Sequence, residues 1–340
     1  MIDYTRGYAV DAIDLSPVNV ETWASVGSVT NITAASVSRS RKEQAPLLET
    51  ASLDVDGDFE DGWYRLSVVL SQGGHERVNV GTFLFEASSP TYDYGTTTRT
   101  ARGSSVLKPV SDQRVLIGEY APKGADGAAY AASLIRRCTP APVEVETSFT
   151  LGEHVVFGRT STCLQAVWAI LDAGGACIQI DGEGVIHIMQ VPTEPSLELS
   201  SANAALLLHG VSEDYDVTKV PNRLTVYDGA RVVTAVNQSD GPTSIDARGR
   251  IVDETEDSPA TVEGETLEAY ATRRLRELRK VLRTRTYGRE WVDGVVPWSV
   301  VRGTLSDVGL DGDMSVLSQE ITIGAGVYVS KETAVMEVTA

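Results

Sequence analysis

The sequence predicts a mainly β protein with a small α+β insertion, and three observations support this prediction. Hydrophobic and polar residues alternate along roughly the first 110 residues, which is the pattern of half-buried strands. Two segments between residues 119 and 208 carry helix signals instead, followed by a short hairpin. Beyond Val220 the alternation returns, interrupted by one helical stretch at about residues 265–283.

The N-terminal region contains a well-marked hairpin. Apolar side chains alternate with polar ones from Tyr64 to Leu70, and a second run extends from Glu76 to Phe85. The two runs are joined through Gln72-Gly73-Gly74, where glycine tolerates the backbone angles of a tight turn. Leu53 and Val55 alternate with polar neighbours in the same way, so a further strand is expected there.

The insertion begins with two predicted helices. The first extends from Ala128 to Cys138 and stops before Thr139-Pro140. The second starts at the capping box formed by Thr162 and Gln165 and ends at Gly174-Gly175. A hairpin follows, with strands 176–180 and 185–189 and a turn at 181–184.

The C-terminal region contains a sharp reversal of charge. Eight acidic residues lie between Asp246 and Glu268, and eight basic residues lie between Arg273 and Arg289. The predicted helix buries a stripe formed by Leu267, Ala271, Leu275, Leu278 and Leu282. Four basic residues then face mainly outward: Arg273, Arg276, Lys280 and Arg283. They form either an ordinary solvated helix face or a basic face that docks on an acidic partner, and they are the candidate partner-interface residues.

Composition excludes several classes of protein. With 42% hydrophobic and 22% charged residues, the chain has enough apolar side chains for a folded core and is not a disordered protein. The net charge of -18 argues against a protein that grips nucleic acid, because phosphate binding needs clustered Lys and Arg. No apolar run approaches the ~20 residues of a membrane-spanning helix, so no membrane anchor is expected. The start, Met1-Ile2-Asp3-Tyr4, lacks signal-peptide features, so we expect synthesis in the cytoplasm.

Neither a catalytic residue nor a metal or cofactor site is predicted. The sequence has no Gly-x-Ser-x-Gly elbow, no phosphate-binding loop and no His-Glu-x-x-His motif. Its four histidines are far apart, and His187 is expected to face away from the apolar side of its strand. The segment Asp54 to Asp61 resembles a calcium loop, but Phe59 stands where such a loop needs glycine, so an acidic hairpin tip is the expectation. Three cysteines are expected to be small buried side chains.

Several C-terminal segments together carry a resemblance to a known family. They are Tyr215 to Val226, which includes Pro221-Asn222 before an alternating strand, the helix Glu265 to Leu282, the aromatic strand Arg289-Glu290-Trp291, Val296-Pro297 and the loop and strand Gly309 to Val316. In this order, after a β region and an α+β insertion, they resemble the baseplate or tail-tip hub proteins of tailed bacteriophages and related contractile injection systems. The resemblance spans most of the chain.

The resemblance implies a specific architecture and role. It implies two barrel-like β domains related by pseudo-symmetry, residues 1–118 and 209–340, on either side of the helix-hairpin module 119–208. Three copies would form a ring that adapts the hexameric tail tube or distal tail ring to a central spike or fibre. The lumen would admit the tape-measure protein and DNA, and its acidic charge would keep DNA from sticking. The protein would then reside in the virion after assembly in the host cytoplasm.

Two other classes of function remain open from the sequence. A cell-wall hydrolase is one, although the nucleophile motifs are absent. A carbohydrate-binding or receptor-binding tail module is the other, and it would place surface aromatic residues in one groove. The tryptophans are scattered along the chain, at Trp23, Trp63, Trp168, Trp291 and Trp298.

Overall fold

The computed structural model describes most of the chain. The described residues are 2–4, 7–29, 32–43, 45–56, 59–86, 91–93, 96–200, 207–208, 210–214, 217–238, 241, 243–257, 266–324 and 327–339. The predicted mainly β class is confirmed, with 49% of residues in strands and 16% in helices. No helix of the described part is long and apolar enough to cross a membrane.

The described elements comprise five α-helices, twenty-one strands and a short 3-10 turn at Ser306–Val308. The helices are α1 (Lys108–Asp112), α2 (Gly127–Cys138), α3 (Cys163–Gly174), α4 (Ile245–Arg248) and α5 (Leu267–Leu278). The strands are β1 (Ala9–Pro17), β2 (Ile32–Ser40), β3 (Glu49–Asp56), β4 (Gly62–Ser71), β5 (His75–Glu86), β6 (Thr91–Asp93), β7 (Thr96–Ser105), β8 (Tyr120–Ala121), β9 (Val143–Val145), β10 (Val155–Val156), β11 (Ala176–Ile180), β12 (Ile186–Gln190), β13 (Pro195–Leu199), β14 (Ser212–Asp214), β15 (Arg223–Asp228), β16 (Arg231–Val236), β17 (Asp253–Asp257), β18 (Lys280–Glu290), β19 (Val300–Leu305), β20 (Leu310–Gly324) and β21 (Val327–Thr339).

The chain forms two compact units. The larger unit contains Met1–Val211 and Thr286–Ala334, and the smaller unit contains Ser212–Arg285 and Val335–Ala340. In the larger unit one sheet continues through β1, β4, β5, β7, β3, β2 and β20, with every neighbouring pair antiparallel. Because β2 pairs with β20, this sheet crosses the domain boundary predicted at residue 208. The division into two pseudo-symmetric barrel-like domains stays a prediction.

The apolar face of this sheet follows from the alternation seen in the sequence. The predicted hairpin is β4 and β5, and Leu66, Val68 and Leu70 of β4 are fully buried. Side chains two positions apart lie on the same sheet face, so a single register buries all three. Trp291 and Tyr328 stack in the same core with their ring centroids 4.7 Å apart.

Charged residues are also buried in the larger unit. Arg289 and Glu332 are both 0% exposed, and the Arg289 guanidinium donates to both carboxylate oxygens of Glu332, with Nε 3.0 Å from Oε2. Gln319 Nε2 donates to the same carboxylate at 2.9 Å. A buried charge is tolerated only when its partner and its hydrogen bonds are supplied, so this network holds β18, β20 and β21 in register.

The α+β module of the larger unit confirms the predicted helices and hairpin. Thr162 accepts from the backbone of Gln165 while the Gln165 side chain accepts from the Thr162 backbone, which is the predicted capping box of α3. Gly175 ends α3 with a φ of 61°, a conformation that costs glycine little. Strands β11 and β12 form the predicted hairpin, and β9 joins β12 in parallel. The three cysteines are free and buried, as expected.

In the smaller unit, α5 covers one face of a three-stranded sheet. The sheet order is β16, β15, β17. Leu224 and Val226 of β15 point toward the helix, where Tyr270, Ala271 and Leu275 complete the core. Thr266 caps the helix by accepting from the backbone of Ala269 at 3.2 Å.

The helix ends earlier than the sequence predicts. We expected it to reach residue 283, but α5 ends at Leu278 and β18 starts at Lys280. No glycine or proline marks the stop. The sequence changes here from a helical spacing of apolar residues to the two-residue alternation of a strand. From Arg283 to Tyr287, large side chains alternate with β-branched threonine, which favours a strand. Arg285 and Tyr287 are buried, whereas the residues between and beside them are half-buried.

Candidate functional site: two exposed apolar surfaces and a polar cavity

The four predicted partner-interface residues do not share one helix face. Arg273 and Arg276 lie on α5, whereas Lys280 and Arg283 lie on β18. Arg276 is exposed. The side chain of Lys280 lies outside the described residues.

Two of these arginines have partners within the smaller unit. Arg273 donates to Glu277 Oε1 at 2.8 Å and lies over the ring of Tyr270. Arg283 Nε is 3.6 Å from Glu213 Oε1. Both arginines are half-buried, and ion pairs of this kind contribute little to stability. Their role at an interface remains a prediction.

The sheet of the smaller unit exposes apolar side chains on the face opposite α5. Tyr227 of β15 is paired with Val232 of β16, and both side chains are exposed. Val236, further along β16, is exposed as well. β16 is an edge strand of this sheet, and no other strand of the described residues pairs with its outer side. We call Tyr227, Val232 and Val236 the outer sheet face.

The α+β module exposes a second apolar surface. A turn at Leu116 and Ile117 leads directly into β8, and Ile117 is 100% exposed. Tyr120 of β8 is paired with Val156 of β10, which is 77% exposed. Contiguous exposed apolar groups are typical of protein contact sites. We call Leu116, Ile117, Tyr120 and Val156 the module patch.

A cavity of about 280 Å³, lined by both polar and apolar side chains, lies in the larger unit between the α+β module and the large sheet. Strands β2 and β5 contribute Arg39 and Asn79, and the segment after β18 contributes Trp291 and Asp293. The module contributes Glu146, Gln179, Asp181 and His187. Local sequence patterns do not show this convergence, because the lining residues come from five distant segments.

His187 lies among carboxylates at the edge of this cavity. Its Nδ1 is 2.7 Å from Glu146 Oε1 and 3.7 Å from Glu144 Oε2. Its Nε2 is 3.3 Å from Asp181 Oδ2. Burial disfavours the charged imidazole, but the hydrogen bonds and charges of Glu146 and Asp181 outweigh burial and raise the pKa of His187. As expected from the sequence, His187 faces away from the buried side chains of Ile186 and Ile188.

Backbone strain is concentrated where the module meets the sheet. Trp23, Leu48 and Trp298 have φ values of 57°, 64° and 78°, which are unfavourable for residues other than glycine. The Trp23 indole donates to the carbonyl of Glu183 in the module, and Leu48 and Trp298 line a recess beside Gln179. A residue other than glycine in such a backbone conformation lowers stability by about 1–3 kcal/mol. The packing around the junction must therefore hold these three residues in place.

The calcium-like segment is described only in part. Asp54 and Asp56 lie at the end of β3, and Thr100 Oγ1 donates to Asp54 Oδ1 at 3.0 Å. Residues 57 and 58 lie outside the described residues.

Comparison with known proteins gives structural but no sequence matches. No protein-family model matches the chain, and no curated protein matches it. The tail protein from Neisseria meningitidis MC58 is similar in structure, with a TM-score of 0.65 and 13% identity over 97% of this chain and 97% of that one. The 43 kDa tail protein of prophage MuSo2 from Shewanella oneidensis gives a TM-score of 0.62 and 13% identity, covering 95% of this chain and 97% of that one.

A chain of the Francisella PdpA-VgrG complex is also similar. Its TM-score is 0.56 at 6% identity, and the match covers 97% of this chain and 58% of that one. Identities this low establish the fold alone. The chain has the fold of phage tail proteins, and the expected resemblance to tail baseplate hubs is confirmed at the level of the fold.

Proposed function

We propose that this chain is a structural hub of a phage tail tip or baseplate, which assembles as a homotrimeric ring. The observation that carries this proposal is the fold likeness to two phage tail proteins, which extends over at least 95% of each chain. A match of this extent includes both compact units rather than one shared module.

The exposed surfaces support the assembly of a ring. A closed ring needs two different contact faces on every subunit, because each subunit touches one neighbour with each face. The module patch and the outer sheet face are two such apolar surfaces, one on each compact unit. We propose that they form the two sides of the contact between neighbouring copies.

The charge of the chain suits a channel. With 47 acidic and 29 basic residues, a ring of three copies is strongly negative. A negative lumen repels the phosphate backbone, so DNA passes without binding. The partners that fit this role are the tail tube or distal tail hexamer on one side, a spike or fibre on the other, and the tape-measure protein in the lumen. In this proposal the chain binds and positions these partners and is not an enzyme.

The tryptophans do not favour a carbohydrate-binding role. Trp23 and Trp291 are buried, and Trp63, Trp168 and Trp298 are half-buried. Trp23 packs against Trp63 at 5.5 Å, and Arg41 lies over Trp298 at 4.0 Å. These side chains serve as core and contact residues within the chain, rather than as a platform for sugar rings.

Light scattering of the purified protein tests the proposed ring. We expect a particle of three times the chain mass of 36.4 kDa. Ile117→Asp in the module patch and Val232→Asp in the outer sheet face should each shift the trimer to monomer, since each places a charge in an apolar contact.

Val20→Asp is the matched control, because Val20 lies outside both surfaces and, at 51% exposed, is close to Val232 at 56%. It should leave the trimer intact. A wild-type monomer would contradict the proposed ring. Trimers that persist in both surface variants would contradict the proposed contact faces.

A further inference from the structure

The parallel pairing of β9 with β12 places three possible metal ligands together. Glu144 of β9 is paired with His187 of β12. The backbone N–H of Glu146 donates to the carbonyl of Ile188 at 2.9 Å, which extends the pairing by one residue. Residues two apart lie on the same side, so Glu146 points the same way as Glu144.

The distances suit an ion after only small side-chain rotations. One ligand atom from each of Glu144, Glu146 and His187 lies within 4.8 Å of the other two. The ligand atoms around a tetrahedral ion at about 2.0–2.2 Å are roughly 3.3 Å apart. Both glutamates are exposed and can close this gap by rotation of their side chains.

Asp181 supplies the hydrogen bond that usually accompanies a ligating histidine. Without an ion, Nδ1–H donates to Glu146 Oε1 at 2.7 Å and Nε2–H donates to Asp181 Oδ2 at 3.3 Å. A bound ion would take the place of the Nδ1 proton, and Asp181 would still hold the ring through Nε2. Asp181 is itself held in place, because its Oδ1 accepts from the backbone N–H of Val185 at 2.8 Å. The imidazole is therefore oriented through Nε2, and Nδ1 would ligate the ion once it has lost its proton.

The cavity provides space for further ligands. His187 and Glu146 line it, so a bound ion would have an open position toward a volume of about 280 Å³. Trp291 lines the same cavity and is 1% exposed, and its Nε1–H has no hydrogen-bond acceptor among the described residues. A buried donor of this kind needs an acceptor, and a water or anion beside an ion would supply one.

We propose that Glu144, Glu146 and His187 bind a divalent transition metal ion of the zinc class, with Asp181 orienting the imidazole. One imidazole nitrogen with two carboxylates is a ligand set that zinc accepts, whereas calcium and magnesium prefer oxygen ligands alone. The ion would offset most of the negative charge of three carboxylates around one imidazole and would join β9 to β12.

Titration calorimetry of the full chain with Zn²⁺, after treatment with a chelator, tests this site. We expect one Zn²⁺ per chain and a higher melting temperature with the ion bound. His187→Ala should abolish this binding, and Asp181→Asn should weaken it by about 10–100-fold. Glu144→Gln removes the charge of a second proposed ligand while preserving the shape of its exposed side chain, and it should also weaken Zn²⁺ binding.

His75→Ala is the matched control. His75 Nδ1 is 2.7 Å from Asp11 Oδ2, so this variant also removes an imidazole from a carboxylate, but at a site with no further ligand in the described part of the chain. It should bind Zn²⁺ as the wild type does. Equal loss in His75→Ala and His187→Ala, or unchanged binding in folded Glu144→Gln and His187→Ala, would overturn the site. Displacement of Zn²⁺ by an equal concentration of Ca²⁺ would overturn the assignment to the zinc class.

Discussion

Replacing Glu332 with alanine should lower the free energy of unfolding by about 3–5 kcal/mol, because it leaves the Arg289 charge buried and unpaired. Both side chains are fully buried, and Gln319 also loses its carboxylate acceptor. Chemical denaturation of the wild type and the variant measures the difference.

The double variant Arg289→Met with Glu332→Leu removes both charges. It shows how much of the stability lost in Glu332→Ala comes from the unpaired Arg289 charge and how much from the loss of the ion pair itself. It should recover most of the stability lost by Glu332→Ala, since no charge stays buried. Asp313→Ala is the control, because Asp313 pairs with Arg302 in a similar two-point contact at an exposed position. If Glu332→Ala lowers the free energy of unfolding by no more than Asp313→Ala does, then burial does not make the loss of the Arg289–Glu332 pair more destabilising than the loss of an exposed pair.

Gly182→Ala should destabilise the junction between the α+β module and the large sheet. A Cβ at this position would lie 2.1 Å from the backbone carbonyl oxygen of Asn79 on β5, so the turn or the strand must shift. Overpacking of this kind costs about 1–3 kcal/mol and more when backbone must move. Trp23, Leu48 and Trp298, whose φ values are positive, also lie at this junction, which leaves little room for adjustment.

Thermal unfolding and hydrogen exchange measure the effect of Gly182→Ala. We expect a lower melting temperature and faster exchange in β11 and β12 than in the wild type. Gly74→Ala is the matched control, since a Cβ there meets no atom within 4 Å. Equal melting temperatures for the two variants would show that the close approach at Asn79 does not constrain the fold.

Local signals in the sequence were enough to place many elements of the larger unit. The expected helix 128–138 is α2 (Gly127–Cys138), and the capping box of Thr162 placed the start of α3 correctly. The hairpin of β4 and β5 was found from alternation and glycine alone. These features are determined by residues a few positions apart, which a single sequence displays directly.

Long-range pairing was the part that the sequence could not reveal. Ala35 of β2 is paired with Ile323 of β20, and nothing local indicates that the two ends of the chain share a sheet. The buried pair Arg289 and Glu332 was hidden for the same reason, because a charged residue in an alternating strand is ordinarily expected to face water.

The candidate ion site shows the same limit. Glu144 and His187 lie far apart in sequence, and only the parallel pairing of β9 with β12 brings them together. Local spacing therefore does not show the site, although the Glu-x-Glu spacing of residues 144 and 146 places two carboxylates on one side of a strand.

Imaging of the purified protein bound to the end of a hexameric tail tube tests directly whether the chain is a trimeric hub. We expect a ring of three copies capping each tube end, with threefold symmetry and an open central channel. Absence of a cap on the tube, or a cap with a number of copies other than three, would contradict the proposal that this chain is a trimeric tail hub.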